Sequence, residues 1–70
     1  MAMEYVAQRL VMGDVVLIDL PGQEAPVEAK VMRVIDRTDT SVRVSLHVQG
    51  REDFVREWPI DERVTVVRGP

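Results

Sequence analysis

Residues Ser41 to Val48 read S-V-R-V-S-L-H-V, and this stretch decides the fold. Val42, Val44, Leu46 and Val48 occupy every second position, with Arg43, Ser45 and His47 between them. Period two marks a strand with one face in a core and one face toward water. A helix does not fit, because residues two apart on a helix do not share a face.

The neighbouring segments extend the pattern in both directions. Upstream, Asp36-Arg37-Thr38-Asp39-Thr40 is a polar turn that follows a long strand, Val27 to Arg37. Val27, Ala29 and Val31 share the inward face of that strand, with Glu28, Lys30 and Met32 opposite. Val34 is then apolar where Arg33 should continue the inward face, and a phase slip of one residue predicts a β-bulge. Downstream, Gln49-Gly50-Arg51 forms a hairpin turn in which Gly50 is free to take positive φ. Glu52 to Trp58 returns as a strand in which Phe54 and Val55 compete for the inward position. Trp58-Pro59-Ile60-Asp61 is expected to break the ladder, since Pro59 has no N–H to donate. A single 3₁₀ turn fits there, ahead of a closing strand from Val64 to Arg68.

Toward the start, Gly13-Asp14 is a turn before the strand Val15 to Leu20, with Val16, Ile18 and Leu20 inward. Pro21 to Pro26 is the longest loop. Residues 1–12 accommodate either an edge strand followed by a helical turn at Ala7-Gln8-Arg9-Leu10 or one amphipathic helix. The strand-then-turn version is preferred.

This order resembles the SH3-like small barrel shared by SH3, Tudor and KOW domains and by many short bacterial and phage proteins. The resemblance spans about residues 10 to 68. It rests on Gly13-Asp14-Val15-Val16, on the Val31…Val34 slip, and on Pro59-Ile60 before Val64-Thr65-Val66-Val67. It implies an all-β fold: a five-stranded SH3-like barrel with one 3₁₀ turn before the last strand, residues 1–70 forming one domain. A polyproline-gripping SH3 surface would need a cluster of aromatics, and only Tyr5 and Trp58 are available for it. Gly13 to Pro21 also resembles the first strand of MazF-type endoribonuclease toxins. The arginine-proline stretch expected next in that family is absent, and the chain is much shorter.

Composition narrows the function. A 70-residue domain buries only about 60% of the surface its unfolded chain exposes. Without cysteine, neither a disulfide nor a thiolate metal site supports it. The core must be dense, or a partner or second copy must cover part of it. A net charge of −3 disfavours nucleic-acid binding by charge alone. Lys30 is the sole lysine beside eight arginines, which reflects either GC-rich codon usage or a need for the guanidinium fork. No apolar run approaches the ~20 residues of a membrane span, and the N-terminus lacks the basic start of a secretory signal. A cytoplasmic protein is expected.

The residues offer little for catalysis. Ser45 and His47 share a strand face but stand ~7 Å apart along it, and no spacing places a carboxylate behind the imidazole. Isolated glycines build no phosphate loop, and one histidine with turn carboxylates makes no metal motif. No cofactor and no enzymatic activity are expected. The candidate binding residues are Arg33, Arg43, Arg56, His47 and Trp58. On one outward face the three arginines would form a basic ladder beside His47, open to nucleic acid, unless Glu28, Glu52 and Glu57 pair with them across strands. Trp58 is either a lid on the core or a ligand platform. The expected function is a non-catalytic interaction module that binds a protein partner or self-associates. Its surface combines the Pro21 to Pro26 loop, the outward face of the Ser41 to Val48 strand and the Trp58-Pro59 turn. The alternative is a nucleic-acid-binding barrel, and a MazF-like ribonuclease is the remote third.

Overall fold

The structure, a computed structural model, describes residues 2–70. Six strands form one antiparallel sheet: β1 (Met3–Val6), β2 (Val15–Ile18), β3 (Val27–Arg37), β4 (Ser41–His47), β5 (Phe54–Pro59) and β6 (Arg63–Arg68). Their order across the sheet is β1-β6-β2-β3-β4-β5. The sheet does not close on itself, since β1 and β5 are its two edges. The expected five strands become six because Met3–Val6 pairs with β6, from Met3 opposite Val66 to Val6 opposite Arg63.

The period-two residues do what their spacing requires. Val42, Val44 and Leu46 of β4 are fully buried and meet Val16 and Ile18 of β2, Ala29 and Val31 of β3, and Val64 and Val66 of β6. Phe54 packs against this cluster while Val55 is 54% exposed, so Phe54 takes the inward position. Trp58 is 8% exposed and belongs to the core.

The expected slip in β3 is present and doubled. The register with β4 shifts between Val31 and Arg33 and again between Val34 and Asp36, which leaves Met32 and Ile35 without partners. A bulge inserts an unpaired residue and bends the strand. Two of them let β3 curl over the core and return Val34 to the inward face opposite Val44. The second shift places Arg37 opposite Val42, on the core side of the sheet.

The 3₁₀ turn lies at Ala7–Arg9, after β1, and not before the last strand. Residues 59–62 instead form a simple turn closed by the Glu62 N–H on the Pro59 carbonyl at 3.0 Å. Pro59 sits opposite Ser41 at the end of edge strand β5. A proline there removes no ladder bond when its nitrogen faces away from the neighbour, so the strand runs further than expected. The Ala7–Arg9 turn lies against the 59–62 turn, with Ala7 N–H donating to Glu62 O (2.8 Å) and Gln8 N–H to Ile60 O (3.1 Å). From the far end of β3, Arg37 donates through Nε to the Gln8 carbonyl at 3.0 Å and through a terminal nitrogen to the Leu10 carbonyl. A guanidinium thus satisfies carbonyls left without partners at the end of a helical turn.

Among the glycines of positive φ, Gly13 is the one with another residue close against it. Its φ is +99°, and a Cβ there would meet Pro70 Cβ at 2.7 Å. Beside it, Asp14 is 1% exposed, and its carboxylate accepts the Val11 N–H at 3.0 Å. Gly13→Ala is expected to lower stability by ~1–3 kcal/mol, the range for a strained backbone conformation. The readout is the urea midpoint; an unchanged midpoint would mean that the turn accommodates a side chain.

Candidate functional site

Strand register decides which surface residues become neighbours. On the outward face, Lys30 of β3 lies opposite His47 of β4 and also opposite Val15 of β2, which in turn faces Arg68 of β6. One row across four strands therefore reads Arg68, Val15, Lys30, His47. The next positions along β3 and β4 place Arg33 opposite Ser45, and beyond them Asp36 opposite Arg43.

Two shallow depressions meet on this face and share Val15, Lys30 and Arg68. The larger, of about 510 Å³, is bounded by Met12, Val15, Met32 and Pro70 with Lys30 and Arg68 beside them. The smaller adds Glu28, His47 and Gln49. Met12 is 66% and Met32 39% exposed. The first bulge explains Met32, because a residue without a cross-strand partner is free to project from the sheet.

The three arginines do not form one ladder. Arg33 and Arg43 lie outward, but Arg56 is opposite Val44 on the inward side, alternating with Phe54 and Trp58. Its guanidinium carbon lies 5.6 Å from the Trp58 ring centroid, within the ~6 Å reach of a cation–π contact. Arg56 therefore covers the indole at the mouth of the sheet. A depression of about 300 Å³ there brings together Pro26 and Trp58 from the expected protein-binding surface and Arg56 from the nucleic-acid alternative, with Asp19, Glu62 and Arg63 beside them. The outward face of β4 is on the other side of the sheet, so the expected surface divides in two.

The ion pairs differ in partner from those expected. Glu28 pairs with Arg68 (3.2 Å) and Glu4 with Arg63 (3.8 Å), all well exposed. Arg43 has acidic neighbours on both sides, Asp36 and Glu57, by register. Exposed pairs of this kind contribute only ~0–1 kcal/mol. A carboxylate does stand behind the imidazole, contrary to expectation: His47 Nδ1 lies 2.7 Å from Asp53 Oδ1. Asp53 reaches it because the Val48 to Arg51 turn, closed at 3.0 Å, folds the loop back over β4. Lys30 and Arg68 were not among the expected site residues. Lysine at an outward strand position carries no signal by itself, and its nearness to Arg68 depends on the pairing of β2 with both β3 and β6.

Comparison with protein-family models, with curated proteins and with solved structures found no match to this chain.

Proposed function

We propose that this domain is a small, cytoplasmic, non-catalytic interaction module of SH3-like barrel type that binds a protein partner. The β2-β3-β4-β5 meander, with β6 returning beside β2, supports the small-barrel reading. The observation that carries the function is the character of the outward face. It combines exposed Met12 and Met32 with Lys30 and Arg68, and it has no aromatic side chain. Tyr5 and Phe54 pack against the core and Trp58 is within it. Single-stranded nucleic acid is usually gripped by bases stacked on aromatic rings, which this face does not provide. Methionine-rich surfaces adapt to protein side chains.

The nucleic-acid reading keeps one specific point in its favour: Arg33, Lys30, His47 and Arg68 share one face. Amide NMR spectra recorded with mixed-sequence DNA and RNA oligonucleotides at low salt separate the two readings. Unchanged resonances at Lys30, Arg33 and His47 are the expected result. Shifts there that reverse with added salt, the signature of released counterions, would replace the protein-binding reading with a nucleic-acid one.

A further inference from the structure

We infer that the Val15 groove of the outward face receives an extended segment of a partner protein in which an apolar side chain has a carboxylate two residues to either side. The inference rests on the protein-binding reading and names the chemistry of the partner.

The groove has two parts with different demands. Its floor and one wall are apolar: Val15, nearly buried on the outward side, with Met12, Met32 and Pro70 around it. Removing such surface from water favours an apolar occupant. Thioether side chains adjust to its shape at little cost. The rim is cationic. Among the described residues Lys30 has no acidic group within 4.0 Å, and Arg68 shares only one exposed contact, with Glu28 at 3.2 Å. Both cations stand beside the same Val15, in the row Arg68-Val15-Lys30. An apolar side chain seated over Val15 would thus have a cation on either side. Successive side chains of an extended segment project to opposite sides. Carboxylates two positions to either side of the apolar residue therefore face the same way as it does and would lie along the rim, each with a cation within reach.

A second copy of this chain is a poorer occupant on charge grounds. The chain carries −3 overall, so two copies repel each other at long range. A separate acidic-apolar segment meets the local positive rim without bringing a whole acidic domain with it.

The test uses the full domain, isotope-labelled, and three synthetic octapeptides. One repeats glutamate-serine-leucine-serine, one repeats lysine-serine-leucine-serine, and one repeats glutamate-serine-glycine-serine, so that the charged and the apolar side chains share a face. The glutamate–leucine peptide alone is expected to shift the amides of Val15, Lys30, Met32 and Arg68. Lys30→Glu combined with Arg68→Glu alters only exposed side chains, and it should weaken that peptide about tenfold, as expected for two surface charge pairs reversed. The same variant should gain affinity for the lysine–leucine peptide. Equal binding of both leucine peptides by the unaltered domain would overturn the charge assignment and leave the protein-binding reading intact. So would line broadening at these amides that grows with protein concentration in the absence of peptide, since a second copy would then occupy the groove. Groove shifts produced by a uridine octamer and by none of the peptides would overturn both readings.

Discussion

Trp58→Ala is expected to remove ~3–5 kcal/mol of stability, the range for truncating a large core aromatic. Trp58 is 8% exposed, lies opposite buried Val42 and belongs to the core cluster, with the Arg56 guanidinium over its ring. At ~0.05–0.15 kcal/mol per residue, a chain of 70 residues holds roughly 4–10 kcal/mol in total. The substitution therefore leaves the domain marginal or unfolded. Far-UV circular dichroism on heating checks it, since the variant has no indole for fluorescence. Trp58→Phe, which keeps an aromatic ring in place, should lose much less. A melting temperature untouched by Trp58→Ala would remove the residue from the core and return it to the binding surface.

Leu10→Ala is the second large effect, at ~2–5 kcal/mol for a leucine with no exposed surface. Leu10 is fully buried although it belongs to no strand. It is held there by the Ala7–Arg9 turn, by the two backbone bonds to the 59–62 turn, and by Arg37 on its carbonyl. Losing its side chain is expected to loosen residues 7–12 from the sheet. The Ala7 and Gln8 amides should exchange with solvent faster than those of β4, reporting a local opening ahead of global unfolding. A loss below about 1 kcal/mol, outside the core range, would mean that residues 7–12 lean on the sheet without contributing to its core.

The strands were more legible in the sequence than either of these two residues. Alternation in Ser41 to Val48 gave β4 directly, and the bounds of β3 follow from the same pattern with its break at Val34. The second bulge went unread although Val34-Ile35, two apolar residues in a row ahead of Asp36, break the alternation again. Arg37 was hidden for a different reason. An arginine on the core side contradicts the hydrophobic pattern, and only the carbonyls at Gln8 and Leu10, far away in sequence, explain it. The site was less legible than the fold. A pattern of polar residues says which face of a strand is wet but not which residue lies across from it. Arg33 and Arg43 were therefore placed on the correct face and Arg56 on the wrong one, since Phe54 and Val55 left the phase of β5 open. The Arg68-Val15-Lys30-His47 row depends on three separate strand pairings, each with its own register.

The position of Pro59 bears on what the edge strand β5 offers to another strand. The Ile60 N–H bonds to the Thr40 carbonyl, and β5 is in register with β4 from Phe54 to Pro59. Alternation then directs the backbone groups of Phe54, Arg56 and Trp58 toward β4, and those of Val55, Glu57 and Pro59 toward the open side. Pro59 presents no N–H there, and its carbonyl is already engaged by Glu62. An incoming strand finds two rungs, at Val55 and Glu57, with a charge on the second. Short, charged, proline-ended edges resist the edge-to-edge stacking that leads to fibrils. The same residue that ends the strand thus also limits what can pair with its edge.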